Sequence, residues 1–117
     1  MRKPFGAGAH CAIDYGFVAF LLLTPRFFHL SDKARAISYG FGAAAGILTA
    51  CTDQPYGVMR LVPFRVHGLI DTPFVPTLVL LPWIAGALKQ RNARRFFLSF
   101  CAAALTNYLL TDYTASE

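Results

Sequence analysis

The stretch HCAIDYGFVAFLLLTP, residues 10–25, recurs 57 positions later as HGLIDTPFVPTLVLLP, residues 67–82. Eight of the sixteen aligned positions are identical, whereas chance would give about one for this composition. Both stretches open with the pattern H-x-x-x-D, continue as an apolar run and close on a proline. The chain is therefore predicted to contain an internal duplication.

A second match follows the first in each copy. At an offset of 59, residues 34–53 align with residues 93–112 through a shared Ala-Arg, an Ala-Ala-Ala run and a closing Thr-Asp. Each copy thus holds two helix-sized segments. We predict repeat 1 at about residues 9–53, a linker at 54–65 and repeat 2 at about 66–112.

The composition indicates a membrane protein. Of the 117 residues, 56% are hydrophobic and 15% are charged, and the mean hydropathy is +0.46, which is unusual for a soluble domain. A spanning helix needs roughly 20 largely apolar residues, and four such segments lie at about 9–28, 33–52, 66–86 and 93–112. The predicted fold class is all-α: one integral membrane domain, residues 1–117, forming a four-helix bundle. Because each repeat has two helices, the copies run in parallel about a pseudo-twofold axis along the membrane normal.

The eleven basic residues sort by connection. Seven flank the helix 1–2 and helix 3–4 connections: Arg26, Lys33, Arg35, Lys89, Arg91, Arg94 and Arg95. Four lie on the opposite side: Arg2, Lys3, Arg60 and Arg65. The positive-inside rule then predicts a cytoplasmic (inner) membrane protein with both termini outside, in the periplasm. Since the charge follows topology and forms no basic face, no nucleic-acid partner is expected.

Small residues predict where helices pack. Gly42 and Gly46 form a GxxxG pattern in helix 2, and Ala102 and Ala103 stand at the matching level of helix 4. In lipid, such residues let helix backbones approach closely and gain dispersion contacts. We expect helices 2 and 4 to pack at this level, within the chain or between copies of it.

The two-helix unit resembles the SPW repeat family of small bacterial membrane proteins. The resemblance rests on a proline-centred tripeptide at the end of the first helix of each unit, here Thr24-Pro25-Arg26 and Leu81-Pro82-Trp83. It includes the opening H-x-x-x-D, the closing Thr-Asp and the stretch LVPFRVH before the second unit. The resemblance implies an architecture of two tandem two-helix repeats in a membrane, and it implies no activity.

Six ionisable side chains gather at the predicted outer face. They are His10, Asp14, Asp53, His67, Asp71 and Asp112. In each repeat a histidine and an aspartate stand four residues apart on one helix face, and a further aspartate ends the second helix. Ionisable groups at membrane depth are costly, so each needs a partner, water or a ligand.

Three interpretations of these six residues stay open from the sequence. One is a structural clamp of His, Asp and Thr hydrogen bonds that holds the outer helix ends of each repeat. A second is a ligand site between His10 and His67: either a transition metal such as zinc, iron, manganese or copper with some of the carboxylates, or a b-type haem with two axial histidines. A third is ion or proton transport, although no ionisable residue continues a relay through residues 18–23 or 77–81.

The sequence shows no nucleotide loop, nucleophile triad or paired catalytic acids, so no enzyme is predicted. The expected function is that of a non-catalytic structural or accessory subunit in the lipid bilayer, which packs against other membrane subunits or associates with itself and requires no cofactor. A redox protein with a metal or haem at His10 and His67 is the alternative, and transport is the second alternative.

Overall fold

The computed structural model describes residues 3–114. Four α-helices follow one another in this part of the chain: α1 (Ala7–Leu23), α2 (Asp32–Ala50), α3 (Phe64–Ile84) and α4 (Arg91–Leu110). A short 3-10 helix, Ala87–Lys89, precedes α4. The described residues contain no β-strand beyond two isolated bridges, so the predicted all-α fold of four helices is confirmed.

The helix ends follow the local chemistry. Ser31 caps α2, since its hydroxyl accepts a hydrogen bond from the Ala34 amide at 3.2 Å. α1 ends at Leu23 and not at the predicted residue 28, as helices commonly do before the residue that precedes a proline, here Pro25. The equivalent Pro82 lies inside α3, so a proline at this position permits the end of the helix and does not impose it. Every other predicted boundary lies within two residues of the observed one.

The helices pack in chain order, α1 mainly on α2 and α3 mainly on α4. The α1–α2 and α3–α4 connections meet at one end of the bundle. There the Ser31 amide donates to Gln90 Oε1 at 2.9 Å, and Lys33 Nζ donates to the Ala85 carbonyl at 2.8 Å. The two basic connections therefore share one end of the molecule.

The opposite end carries two equivalent backbone bridges. Phe5 pairs with Thr111, and Val62 pairs with Thr52. Val62 follows Phe5 by 57 positions and Thr111 follows Thr52 by 59, which are the two offsets of the repeat. The segment before the first helix of each copy thus pairs with the end of the second helix of the other copy.

The small residues of α2 face α1 and not α4. A Cβ added at Gly42 would lie 2.7 Å from the Leu22 side chain, and one at Gly46 would also meet a side chain of α1. Ala102 and Ala103 are exposed on α4. Within the chain, the partner of the GxxxG pattern is therefore α1 and not the expected helix 4, because the short connection after α1 makes α1 the antiparallel neighbour of α2. A contact between α2 and α4 of different copies stays a prediction.

Aromatic and aliphatic side chains fill the middle of the bundle. Leu21, Leu78 and Phe97 are fully buried there. The Phe20 ring stacks on Phe96, with the ring centroids 5.0 Å apart. This apolar core separates the basic connections from the histidines at the opposite end.

Large apolar side chains also cover the outside of the helices. Leu23 and Ile84 are each 75% exposed, and Phe27, Leu69 and Trp83 are exposed as well. Among the described helices, α3 has both the length and the hydropathy needed to cross a membrane, while α1 is apolar but has 17 residues.

Candidate functional site

Four side chains meet at the end of the bundle opposite the basic connections: His10, Asp14, His67 and Asp71. His10 Nε2 lies 3.0 Å from Asp14 Oδ2 and 3.1 Å from Asp71 Oδ2. His67 Nε2 lies 3.1 Å and 3.2 Å from the same two oxygens. Nitrogen and oxygen therefore alternate around a closed set of four atoms, which we call the His–Asp ring.

The helical repeat positions these side chains. Residues four apart lie on the same helix face, so α1 presents His10 beside Asp14, and α3 presents His67 beside Asp71. The two imidazoles meet nearly perpendicular, at 88°, with their centroids 5.2 Å apart. The first helices of the two copies are thus joined at one polar point.

The His–Asp ring is almost closed to solvent. His10 and His67 are each 1% exposed, and Asp71 is 9% exposed. Charged groups in such surroundings require opposite charge and hydrogen bonds. The negative charges of the two carboxylates must therefore be balanced by positive charge within the ring.

A threonine hydroxyl holds the other nitrogen of each histidine. Thr111 Oγ1 lies 2.7 Å from His10 Nδ1, and Thr52 Oγ1 lies 2.8 Å from His67 Nδ1. Each hydroxyl also donates to the backbone carbonyl four residues earlier. Because a hydroxyl has one hydrogen, it must accept from the imidazole, and Nδ1 must carry a proton.

This tautomer turns the Nε2 atoms into acceptors when the imidazoles are neutral. Two nitrogen lone pairs then face two carboxylate oxygens at 3.0–3.2 Å, and these four acceptors, none of which donates to another, repel one another. Two protons on the nitrogens or one divalent metal ion would remove the repulsion. Either would also balance the two carboxylate charges.

Two further side chains contact the carboxylates from outside the ring. Asn107 Nδ2 donates to Asp14 Oδ1 at 3.2 Å, and the Tyr113 hydroxyl donates to Asp71 Oδ2 at 3.0 Å. Burial raises the pKa of the Tyr113 phenol, and the Asp71 charge raises it further. Tyr113 therefore stays protonated and keeps its role as a donor.

A cavity of about 110 Å³ adjoins the ring on the side of the bundle core. The four ring residues form its polar end, and its walls are mainly apolar, with Phe17, Phe74, Leu78 and Phe100 among them. Asn107 lines the same cavity. Its Oδ1 is buried and has no hydrogen-bond partner among residues 3–114.

Two of the six predicted residues lie outside the ring. Asp53 is exposed after the end of α2, and Asp112 Oδ1 accepts hydrogen bonds from the Thr114 amide and hydroxyl at 3.0 and 2.6 Å. Each of these aspartates directly follows a threonine that contacts a histidine. Since neighbouring side chains leave the backbone in different directions, the threonine faces the ring and the aspartate turns away.

The threonine contacts cross between the copies. The sequence suggests a clamp within each repeat, but His10 of the first copy contacts Thr111 of the second, and His67 of the second contacts Thr52 of the first. The exchanged backbone bridges at this end of the bundle bring each threonine to the other copy's histidine.

Asn107 and Tyr113 were missed from the sequence, and the repeat contains a signal that marks the first of them. At the offset of 59, Asn107 replaces Leu48 and Tyr113 replaces Gln54. A polar residue at an apolar position of a duplicated helix, as at Asn107, indicates a role that the other copy does not share, whereas Tyr113 replaces another polar residue beyond the helix and carries no such signal. Only the second copy supplies these donors.

Known proteins offer no assignment. No family model, curated protein or solved structure matches this chain. The resemblance to the SPW repeat family stays a prediction from its motifs. The geometry of the site is therefore the basis for its chemistry.

The spacing of the ring suits a single metal ion. Metal bonds of about 2.1 Å to nitrogen and oxygen place neighbouring ligands about 3.0 Å apart at right angles and about 3.4 Å apart at tetrahedral angles. The observed sides of 3.0–3.2 Å lie between these values. A haem does not fit, because the two carboxylates occupy the space that a porphyrin would need between the imidazoles.

Proposed function

We propose that this chain is a four-helix membrane protein that binds one divalent transition-metal ion in the His–Asp ring. The observation that carries the proposal is the convergence of two nitrogen and two oxygen ligand atoms, drawn from both repeats, within 4.8 Å of one another. A mixed set of imidazole and carboxylate ligands suits zinc, iron, manganese or copper.

A shared metal ion would relate each nitrogen equally to both carboxylates, which a single hydrogen bond does not. Hydrogen bonds from a charged N–H to a carboxylate are typically about 2.7–2.9 Å long and nearly linear. Here His10 Nε2 has hydrogen-bond geometry toward Asp71 Oδ2, and His67 Nε2 toward Asp14 Oδ2, each at 3.1 Å. The aspartate four residues along on the same helix lies equally close to each nitrogen, at 3.0 and 3.2 Å, and one N–H does not point at both. Two carboxylates that share one metal with the nitrogen have no such conflict.

The surroundings of the histidines support the same proposal. Histidines that bind metals usually donate their second N–H to an oxygen, which fixes the tautomer and the ring orientation. Thr111 and Thr52 supply that oxygen to His10 and His67. Asn107 orients the Asp14 carboxylate in the same way.

Charge balance favours a divalent ion over a monovalent or a trivalent one. Two carboxylates and one divalent cation form a neutral group, and a neutral group is the least costly to bury. Tyr113 and Asn107 contribute neutral donors and leave this balance unchanged.

The membrane part of the proposal rests on helix length and on the outer surface. Helices of 17–21 residues are about 26–32 Å long at 1.5 Å per residue, close to the roughly 30 Å of a bilayer's hydrocarbon core. Large apolar side chains such as Leu23, Leu69 and Ile84 are exposed, and lipid is the solvent that suits them. The shared end of the basic connections then faces the cytoplasm, and the His–Asp ring faces outward.

A role as an accessory subunit is the second candidate. The exposed Phe27 and Trp83 side chains can contact another membrane protein as readily as lipid, and a metal centre is compatible with such a role. Purification in mild detergent tests it: a larger assembly of fixed composition supports the role, and a chain that elutes alone contradicts it.

Metal analysis of the purified full chain tests the main proposal. We expect one zinc, manganese, iron or copper ion per chain after equilibration and buffer exchange, and loss of that ion in His10→Ala and in His67→Ala. His29→Ala is the matched control, because His29 is exposed outside the ring. A substoichiometric metal content with all four metals, or full retention in the His10→Ala/His67→Ala variant, would overturn the proposal.

Cell fractionation tests the membrane part separately. We expect the chain in the membrane fraction after alkaline carbonate washing. In a cysteine-free variant, we expect a cysteine at Tyr56, near the ring end, to react with an impermeant maleimide in intact spheroplasts, and one at Gln90 to react only after lysis. Release by carbonate contradicts membrane insertion, and the reverse labelling pattern contradicts the orientation.

A further inference from the structure

The cavity beside the His–Asp ring has the size of a small molecule. An engineered apolar cavity of about 150 Å³ holds a benzene molecule, so the cavity of about 110 Å³ found here accommodates roughly four non-hydrogen atoms. Its polar end is the ring itself, and Phe17, Phe74 and Phe100 line its walls. A molecule in this cavity would contact the ring and the aromatic walls at once.

Asn107 lines that cavity and carries an unsatisfied acceptor. Its Nδ2 donates to Asp14 Oδ1 at 3.2 Å and to the His10 carbonyl at 3.4 Å. Both partners are acceptors, so the amide cannot be turned around, and Oδ1 remains buried without a partner among the described residues. Because an unpaired buried acceptor is costly, Oδ1 requires a donor from a bound molecule.

The four protein ligands leave room for one more on the metal. Zinc expands to five ligands, and manganese and iron accept up to six. All four ring residues line the cavity, so a ligand in the cavity lies beside the proposed ion. The ion and the two carboxylates together are neutral, and the apolar walls disfavour a ligand that adds charge.

We propose, on the basis of the proposed metal site, that the cavity binds a small neutral ligand that coordinates the metal through nitrogen or oxygen and donates a hydrogen bond from that atom to Asn107 Oδ1. This class comprises ammonia, short primary alkyl amines and short alcohols. The alkyl part packs against Phe17, Phe74 and Phe100, where apolar surface is removed from water. Water takes the same position when no such ligand is present.

Cobalt absorption spectroscopy on the full chain in detergent provides the test. Co²⁺ is loaded first and its stoichiometry is measured, and n-propylamine is then titrated at a pH at which part of the amine is neutral. We expect the visible bands of Co²⁺ to shift with saturation as the coordination number changes. A protein that holds Co²⁺ but shows no shift overturns the cavity proposal and leaves the metal site intact. Failure to bind Co²⁺, Zn²⁺, Mn²⁺, Fe²⁺ or Cu²⁺ overturns both.

Two alanines on α4 give a matched pair of variants for the cavity. Ala104 lines the cavity, whereas Ala102 is exposed on the same helix. Ala104→Leu should fill the cavity and weaken propylamine binding by about 10-fold or more, while Ala102→Leu should bind like the parent protein. Equal binding in both variants would place the amine elsewhere.

The role of Asn107 is tested with two ligands on one variant. Propylamine has hydrogens on its coordinating nitrogen, whereas trimethylamine, which also has four non-hydrogen atoms, has none. Asn107→Leu should weaken propylamine binding by about 10-fold relative to trimethylamine binding, and trimethylamine serves as the internal reference for any change at the metal itself. An unchanged ratio of the two affinities would remove Asn107 from the proposal.

Discussion

His10 Nδ1 lies 2.7 Å from Thr111 Oγ1, and this contact joins the first helix of one copy to the end of the last helix of the other across 101 positions of the chain. Its counterpart, His67 Nδ1 to Thr52 Oγ1, spans 15 positions. The same histidine–threonine contact therefore forms twice at this end of the bundle. One of the two contacts joins residues that are distant in sequence, and the other joins residues that are close.

Replacing either threonine by valine should weaken both stability and metal binding. Thr111→Val leaves the buried His10 N–H without an acceptor, at a cost of about 1–3 kcal/mol of unfolding free energy. Loss of the oxygen that orients a metal-binding histidine typically lowers affinity about 10–100-fold. We expect Thr52→Val to have a similar effect, as measured by thermal unfolding with and without Zn²⁺.

Thr106→Val is the control for this pair of variants. Thr106 lies exposed on α4, and its hydroxyl bonds the Ala102 carbonyl of its own helix. Its removal should leave metal affinity unchanged. If Thr106→Val lowers affinity as much as Thr111→Val, the threonines do not act through the histidines.

The sequence predicted the ring more completely than the contacts around it. The repeated H-x-x-x-D places His10 with Asp14 and His67 with Asp71 by helical spacing alone, and parallel copies bring the pairs to one level. At the end of each second helix, the threonine and not the following aspartate contacts a histidine. Which of the two side chains faces the ring depends on the direction in which the chain leaves the helix. That direction is set by the exchanged bridges, such as Phe5 with Thr111.

The differences in the helices have equally local causes. The largely apolar composition after His10 extends to Phe28, but α1 ends at Leu23, before Pro25, so composition overestimates α1. A small residue such as Gly42 predicts that another helix packs closely at that position, but it does not identify the helix. The short connection between α1 and α2 makes that helix α1. Asn107 and Tyr113 lack counterparts in the first copy, so a search for shared residues passes over them.

A methyl group at Gly68 should disturb the ring through Tyr113. A Cβ at Gly68 would lie 2.5 Å from the Tyr113 ring, so Gly68→Ala must displace the phenol that donates to Asp71. We expect a lower unfolding temperature and weaker metal binding, as in Tyr113→Phe. Gly16→Ala is the control, because nothing lies within 4 Å of its added Cβ; a comparable loss in both glycine variants would assign the effect to the helix backbone.

Packing of α2 on α1 should be sensitive to Gly42 and insensitive to Gly40. A Cβ at Gly42 meets Leu22 at 2.7 Å, whereas one at Gly40 meets nothing within 4 Å. The Leu22 methyl ends a flexible side chain that is 41% exposed, but Leu21 Cβ lies 3.2 Å away and moves only with the α1 backbone. Overpacking costs about 1–3 kcal/mol, and we expect the lower end of that range, so Gly42→Ala should lower the midpoint of thermal unfolding in detergent. Gly40→Ala should leave it unchanged or raise it slightly, because alanine favours the helix. Similar midpoints for the two variants would contradict the observed packing.

Metal affinity should distinguish the aspartates of the ring from the aspartate beside it. Asp71→Asn and Asp14→Asn each remove one anionic ligand and leave a net positive charge in a buried site, so we expect the affinity for Zn²⁺ to fall by about 100-fold or more. Asp53→Asn removes the same charge from an exposed position next to Thr52 and should change the affinity by less than about twofold. Competition with a chelator of known affinity measures all three variants. If Asp53→Asn weakens binding as much as Asp71→Asn, the ion is attracted by the summed charge of all the carboxylates at this end of the bundle and is not coordinated by the four ring atoms.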